Sequence, residues 1–421
     1  MPSSGRLALI ILGATGVTGS QAVPYVRERA RAEGFDWGIA GRSPERLEAL
    51  IAGWPEDERP EILSVDTALP ATVAAAAGRT DAIVNFAGPF ARMAPPVIEA
   101  AVEAGIAYLD VTGEIDFAAK IVERWHGPAQ SSGARIVQVC GFEALPFDLI
   151  AAAAIERLAA EHGQEPAAIE SIFAGSPPPG MPLPSDLVSH GTFESLREAM
   201  AGEGALVLGD PAALLGDLGS ADLVREISPI RNRPRWKRGV GPLAPMIPSP
   251  IINPPVIQRS LALSGRAPIP YREALAAESL VPTRPLQAIV AGSAAALNGG
   301  LSLLTRAPAS IRRAGTGAMK LFSPSGGPRA DRLEGWRWSI DTVVTGSGGA
   351  AVAVRLEADG HPGYLATSRM TAEAGLILAD PEARTPEAAG VLTPSAALGT
   401  AELERFAAAG LRFSAYQASS E

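Results

Sequence analysis

Short apolar runs of strand length alternate with amphipathic segments of helix length over the first third of the chain. The apolar runs are 7–12, 36–40, 61–66, 82–86, 107–111 and 135–140, and the helical segments are 20–32, 44–52, 95–104 and 115–125. Strands that alternate with helices are typical of a parallel sheet with helices on both faces. The pattern therefore predicts an α/β fold that begins with a doubly wound parallel sheet.

A glycine-rich turn directly follows the first apolar run. Its residues are Gly13, Ala14, Thr15, Gly16, Val17, Thr18 and Gly19, and a helical segment comes next. In such a turn the first glycine permits a tight bend, the second lets a phosphate approach the backbone, and the third lets helix and strand pack closely. The N-terminus of the helix offers N–H groups to an anion. We predict that this turn binds a dinucleotide pyrophosphate; the alternative is an ordinary strand–turn–helix without a ligand.

The end of the second apolar run indicates which dinucleotide is bound. An acidic residue at this position would hold the ribose 2′-hydroxyl of NAD, whereas this chain has Gly41, Arg42 and Ser43. A guanidinium can hold a phosphate through two hydrogen bonds, and a serine hydroxyl adds a further donor. The pattern favours NADP over NAD. The alternative is that Arg42 is a solvated turn residue.

Residues that follow the other predicted strands complete the predicted cofactor site, because ligands of such sheets bind at the carboxyl ends of the strands. They are Asp66, Ala87, Gly88, Pro89, Phe90, Thr112, Gly113, Glu114, Gly141 and Phe142. We expect Asp66 to lie beside the adenine ring. The small residues at 87–88 would let the cofactor cross the sheet edge.

The pattern changes in the second half of the chain. A strand is predicted at 169–174, and the alternation over 335–346 and 350–359 predicts a hairpin. We therefore predict three parts, namely a nucleotide-binding domain at 1–150, a mixed α/β domain with an antiparallel sheet at 151–380, and a C-terminal segment at 381–421 that packs back on the first domain. Residues 228–270 are expected to form an irregular, proline-rich loop within the second domain.

Charge and cysteine content narrow the possible partners and the compartment. The 421 residues carry a net charge of −9, which makes nucleic acid an unsuitable partner. The single cysteine, Cys140, excludes an internal disulfide and a multi-cysteine metal site, and it fits a reducing cytoplasm. We therefore expect a cytoplasmic protein with no metal ion.

Two stretches indicate a peripheral membrane contact as one interpretation. A basic cluster precedes the apolar residues 243–247, and residues 285–304 carry no charge over the length of a long helix. The members of the basic cluster are Arg231, Arg233, Arg235, Lys237 and Arg238. The alternatives are a solvated loop for the basic cluster and a packed helix for the uncharged stretch.

The order of these motifs resembles that of the saccharopine dehydrogenase-like oxidoreductases. The resemblance rests on residues 13–19, 40–43, 85–90, 108–114 and 141–148, and segments at 251–254, 259–260, 271–274, 362–364 and 390–394 resemble the trans-acting enoyl reductase branch. The resemblance implies a Rossmann domain that binds NAD(P), followed by a mixed α/β domain. It also implies hydride transfer to a conjugated C=C bond in lipid metabolism, on a large apolar substrate of the polyketide or isoprenoid kind, and a homodimer.

Three residues are candidate catalytic groups. Glu143 could donate a proton if burial raises its pKa; the alternative is that Glu143 and Asp148 cap the next helix. His190 lies where the family resemblance places substrate-facing residues, but it could instead be a helix cap or a core residue. Tyr271 has a phenolic donor suited to an enolate oxygen, or it is ordinary packing.

Two other functions remain open from the sequence. One is reduction of a C=N bond by an imine reductase like saccharopine reductase. The other is a nucleotide-binding lipid carrier or scaffold without turnover, because no decisive catalytic acid is visible in the sequence.

Overall fold

The computed structural model describes residues 5–179, 193, 197, 199–246, 251–319 and 329–416. Its strands are β1 (Leu7–Leu12), β2 (Trp37–Gly41), β3 (Glu61–Ser64), β4 (Thr80–Asn85), β5 (Ala107–Asp110), β6 (Arg135–Val137), β7 (Pro166–Ser176), β8 (Arg235–Lys237), β9 (Gly241–Ala244), β10 (Tyr271–Ala276), β11 (Arg337–Gly346), β12 (Ala351–Asp359), β13 (Gly390–Leu392) and β14 (Leu411–Tyr416). Its α-helices are α1 (Gly19–Glu33), α2 (Pro44–Leu50), α3 (Pro70–Ala77), α4 (Phe90–Met93), α5 (Pro95–Ala104), α6 (Ile115–Ser132), α7 (Leu145–His162), α8 (Ala221–Ile227), α9 (Asn253–Leu263), α10 (Arg284–Arg306), α11 (Ala309–Met319), α12 (Ala330–Leu333), α13 (Thr367–Ala379) and α14 (Pro394–Leu398).

The chain divides into two compact units. The first unit comprises residues 1–112, 120–142 and 362–410, and the second comprises 113–119, 143–361 and 411–421. The predicted ranges 1–150, 151–380 and 381–421 stay a prediction about domains, and the compact units divide the chain at other residues. Each unit is built on its own sheet.

The first unit contains a seven-stranded sheet in the order β13-β6-β5-β4-β1-β2-β3. Every neighbouring pair is parallel. The buried apolar runs of β1 and β4 occupy the middle of the sheet, as expected for strands with helices on both faces. The predicted doubly wound parallel sheet is confirmed. The sixth strand is shorter than predicted, because Val139 adopts a positive φ of 56° and the strand ends at Val137.

Helix α13 packs directly on this sheet, although the sequence prediction placed it in the second domain. A Cβ atom built on Gly375 would lie 2.6 Å from Val84 Cγ2, so only glycine permits this close approach. The fully buried carboxylate of Glu373 accepts a 2.6 Å hydrogen bond from Tyr25 on α1 and pairs with Arg29 and Arg405. This paired carboxylate links three parts of the first unit.

The second unit contains a mixed sheet in the order β14-β12-β11-β7-β10-β9-β8. Strands β7 and β10 are parallel, and the other neighbouring strands are antiparallel. The predicted hairpin is confirmed as β11 and β12, and the mixed α/β architecture of this half is confirmed with it.

The prediction of an irregular loop over 228–270 was wrong. This stretch contains β8, β9 and α9. Prolines 254 and 255 occupy the first turn of α9, where a missing N–H breaks no intrahelical hydrogen bond. Proline content therefore marked the start of a helix here rather than a loop.

Candidate active site

The glycine turn between β1 and α1 has room for backbone only. Gly13 has φ of +80°, and a Cβ atom built on it would lie 2.7 Å from the backbone nitrogen of Ala87. A Cβ atom on Gly19 would lie 2.3 Å from the Gly13 carbonyl oxygen. The turn is thus closed by Gly13 and Gly19, and α1 begins at its end with N–H groups available to an anion. This geometry fits a bound pyrophosphate.

The other cofactor residues predicted within the first unit lie in the loops after consecutive parallel strands. Segment 41–43 lies at and after the end of β2, Asp66 follows β3, segment 87–90 follows β4, Thr112 follows β5, and segment 141–142 follows β6. In a parallel sheet these strand ends share one edge, which is where dinucleotides bind. Gly113 and Glu114 come next in the chain but belong to the second unit. The individual roles of all these residues stay predictions.

The segment after β2 offers one free cation. Arg42 is exposed and makes no hydrogen bond or ion pair with any residue that the structure describes, so its guanidinium is available to a ligand. The hydroxyl of Ser43 is already engaged, because it donates to Glu45 over 2.8 Å and accepts from the Arg46 N–H at the start of α2. Arg42 is therefore the stronger candidate for holding a 2′-phosphate.

We expect Arg42→Ala to weaken NADPH binding by about ten- to one-hundred-fold, because a charge-assisted hydrogen bond contributes about 1.5–3 kcal/mol. NADH affinity should stay the same, since NADH has no 2′-phosphate. Titration of the intrinsic fluorescence with each nucleotide measures both affinities. Arg46→Ala, which removes a neighbouring exposed arginine, is the matched control. Equal losses for NADPH and NADH would contradict this role.

A buried polar network fixes the loops after β5 and β6. Asn85 Nδ2 donates to the Tyr108 hydroxyl over 3.0 Å, and this hydroxyl donates to Asp110 Oδ2 over 2.9 Å. The other carboxylate oxygen accepts the N–H groups of Thr112 and Val139. Burial raises the pKa of Asp110 to about 6 although these hydrogen bonds favour its ionised form. We interpret this network as support for the loops rather than as a reacting group.

Tyr271 lies in a second polar cluster, inside the second unit. Tyr271 and Glu273 are two residues apart on β10, so their side chains point to the same face. The Tyr271 hydroxyl donates to Glu273 Oε2 over 2.8 Å, and Asn253 Nδ2 at the start of α9 donates to the same oxygen over 2.7 Å. Glu273 Oε1 is buried and has no hydrogen-bond partner among the described residues. It is therefore the oxygen that is free to carry a proton.

Glu143 lies close enough to Glu273 to affect its titration. Burial and then the negative charge of Glu143 raise the pKa of Glu273 to about 7, against the hydrogen bonds from Asn253 and Tyr271. Burial raises the pKa of Glu143 to about 7 as well. Two neighbouring carboxyl groups that both titrate near neutral pH lose their protons as a coupled pair. Such a pair can hold a proton at the pH at which most enzymes work.

The alternative role of Glu143 as a helix cap is not what the structure shows. Helix α7 has Ala144 at its N-cap position and no side-chain capping hydrogen bond there. Asp148 lies inside the first turn, where its Oδ1 accepts a 2.6 Å hydrogen bond from Ser260. Glu143 is thus left for a role other than capping.

The structure places two of the three predicted catalytic residues in one cluster. Glu143 and Tyr271 both interact with Glu273, while His190 lies outside the described residues. Sequence reasoning assigned no role to Glu273 or Asn253. The two-residue spacing of Tyr271 and Glu273 in a strand could have linked them, but the contact with Asn253 joins distant parts of the chain.

Comparisons with known proteins agree with this architecture. Residues 9–137 match the model of the saccharopine dehydrogenase NADP-binding domain. A Mycobacterium tuberculosis protein, whose name assigns it provisionally to the trans-acting enoyl reductases, is 32% identical over 96% of this chain and 96% of its own. A trans-acting enoyl reductase of Mycobacterium ulcerans is 29% identical over 97% of each chain.

Among solved structures, the homospermidine synthase of Legionella pneumophila in complex with NAD superposes with a TM-score of 0.52. The alignment covers 99% of this chain and 93% of that chain at 11% identity, so the likeness shows the fold alone.

The parallel sheet, its glycine turn and the matched domain define an NADP-binding oxidoreductase, and the predicted cofactor is confirmed. With a relative of more than 30% identity along nearly the whole chain, the protein belongs to the trans-acting enoyl reductase branch of the saccharopine dehydrogenase-like family. The prediction of an enzyme of the enoyl reductase type is confirmed with the family.

Proposed function

We propose that the protein reduces an activated C=C bond in an enoyl group of a large apolar, lipid-like substrate. The observation that carries this proposal is the buried carboxyl pair, Glu143 and Glu273, whose pKa values of about 7 leave a proton available at neutral pH. The names of the relatives support the enoyl group as the acceptor. The carrier or scaffold alternative has no support from an enzyme family.

The chemistry requires one hydride and one proton. NADPH, when bound, supplies the hydride to the β-carbon of the enoyl group. The electron pair of the C=C bond then becomes an enolate, and a proton must be added to its α-carbon. In our proposal Glu143 gives up this proton and becomes a carboxylate, which a proton from water later neutralises. The products are NADP⁺ and the saturated acyl group.

Chain connectivity supports Glu143 as the donor. Glu143 directly follows Gly141 and Phe142, which are predicted to line the cofactor, and consecutive Cα atoms lie about 3.8 Å apart. Glu273 supports the neutral form of Glu143, because two carboxylates so close together disfavour double ionisation. Tyr271, whose pKa burial raises well above its ordinary value, stays protonated and continues to donate to Glu273.

NADPH oxidation with three substrate sets tests the proposed function. We expect turnover with long-chain enoyl thioesters or prenyl enones and none with keto acid plus amine pairs, since only the first group contains a conjugated C=C bond. The kcat should fall as the pH rises through about 7, because the donor is active only while protonated. Turnover with keto acid and amine alone would indicate an imine reductase. Bound NADPH without turnover of any substrate would favour the carrier.

A further inference from the structure

Helix α10 has the reverse of the usual distribution of polar and apolar residues. A surface helix normally packs its apolar side on the protein and exposes its polar side. On α10 the exposed apolar residues are Leu286 (45% exposed), Ile289 (61%), Leu297 (54%) and Leu303 (73%). The buried residues of the same helix are Gln287, Ala291, Asn298 and Thr305. The four exposed residues form what we term the α10 apolar face.

The polar side of α10 is held on the second unit by specific hydrogen bonds. Gln287 Nε2 donates to the Val281 carbonyl over 3.1 Å, and Asn298 Nδ2 donates to the Met246 carbonyl over 3.0 Å. Rotation of the helix would break these bonds and bury unsatisfied amides. The helix is therefore fixed with its apolar face outward, and this face cannot be hidden by turning the helix.

Spanning a membrane does not fit this arrangement. By length and composition alone, α10 could cross a bilayer, and only 17% of its most apolar window is buried. However, its amide side chains bond to protein carbonyls along one side, so lipid cannot surround the helix. A helix with one side on protein and one apolar side outward instead suits the plane of a membrane interface.

The charges around α10 are all of one sign. Between residues 280 and 330 the sequence contains six basic and no acidic residues, in a chain of net charge −9. The six are Arg284, Arg306, Arg312, Arg313, Lys320 and Arg329. This local excess of positive charge complements an anionic surface rather than a neutral one.

Two further exposed side chains extend the same region. Trp236 is 67% exposed, and its ring lies 5.1 Å from the guanidinium carbon of Arg284 at the start of α10. Ile311 on α11 is 55% exposed. Tryptophan beside arginine is typical of the headgroup level of a membrane. Of the basic cluster in the sequence, Arg235 and Lys237 pair with Glu170, which leaves Arg231, Arg233 and Arg238 exposed for this purpose.

We propose that the α10 apolar face docks on an anionic phospholipid surface, with α10 in the plane of the interface. The apolar side chains enter the acyl boundary, and the surrounding arginines contact lipid phosphates. A lipid surface, rather than a protein groove, matches an extended apolar face with basic residues at both ends. This proposal is independent of which substrate the enzyme reduces.

Cosedimentation of the full-length protein with vesicles tests this proposal. We expect binding to vesicles of equal parts phosphatidylglycerol and phosphatidylcholine, and weaker binding to phosphatidylcholine alone or at high salt. The double variant Ile289→Ser/Leu303→Ser should bind about ten-fold more weakly or worse. Arg306→Gln and Arg313→Gln should each cost about five-fold. The matched control is Leu69→Ser/Leu223→Ser, which removes two exposed leucines elsewhere.

Tryptophan fluorescence locates the contact. A blue shift on addition of the anionic vesicles is expected in the native protein and should be lost in Trp236→Phe. Because the altered side chains are exposed, thermal unfolding of each variant should match that of the native protein. Absence of binding to anionic vesicles at low salt would overturn the proposal. So would a dimer that dissociates in Ile289→Ser/Leu303→Ser and ignores vesicles, because a second copy would then cover the face.

Discussion

Glu143→Gln should reduce the kcat for enoyl reduction by about 100- to 10,000-fold, the usual contribution of a positioned general acid. Glutamine keeps the size of the side chain and its ability to form hydrogen bonds, but it has no acidic proton to transfer. NADPH affinity should stay the same, since the predicted phosphate contacts lie elsewhere. Stopped-flow measurement of NADPH oxidation separates the chemical step from binding.

The pH profile distinguishes a proton donor from a merely structural residue. In the native protein the rate should fall above about pH 7, and in Glu143→Gln this decline should disappear along with most of the activity. Glu103→Gln, at an exposed position on α5, is the matched control and should behave as the native protein. Full activity of Glu143→Gln would show that the proton comes from another group.

The same carboxyl pair should affect stability in the direction opposite to an ordinary ion pair. A carboxyl group whose pKa is raised to about 7 in the folded state binds more protons than the unfolded chain between about pH 4.5 and 7. The free energy of unfolding contributed by this pair is therefore fully present at low pH and falls as the pH rises through 7. A functional reason for keeping the pair outweighs this cost in our proposal.

The parallel sheet could be predicted because its signals are local. The apolar run of β1, the glycines at 13, 16 and 19, and the proline at the start of α5 each specify their structure within a few residues. The hairpin of β11 and β12 is equally local. In such places the sequence alone was sufficient to predict the element and, within a few residues, its ends.

Features that depend on contacts between distant residues could not be predicted in this way. Asn253 and Glu273 are brought together by the packing of α9 near β10, and nothing in either segment alone indicates it. The position of α13 on the first sheet depends on Gly375, whose meaning is visible only beside Val84.

Helix α10 shows a third kind of limit. Its lack of charge suggested a packed helix or a membrane contact, and composition could not decide between them. The helical spacing of Gln287, Asn298 and Thr305 on one side was already present in the sequence. What was missing was the knowledge that this polar side is the one that packs on the protein, which the hydrogen bond from Asn298 to Met246 supplies.

Gly13→Ala tests the cofactor turn, and Gly34 provides an internal control for it. Both glycines have a positive φ, +80° and +76°, which costs an alanine about 1–2 kcal/mol. At Gly34 the added Cβ would meet open space, whereas at Gly13 it would lie 2.7 Å from the backbone of Ala87. Gly13→Ala must therefore bear a steric cost of about 1–3 kcal/mol in addition to the backbone strain.

We expect Gly34→Ala to lose about 1–2 kcal/mol of unfolding free energy while NADPH still raises its melting temperature. Gly13→Ala should lose about 2–5 kcal/mol, and the stabilisation by NADPH should disappear, because the turn must move away from Ala87 and displace its N–H groups. Denaturant unfolding and thermal shift with and without NADPH measure both effects. An unchanged NADPH shift in Gly13→Ala would mean that the pyrophosphate does not lie on this turn, since the steric conflict with Ala87 would then leave binding untouched.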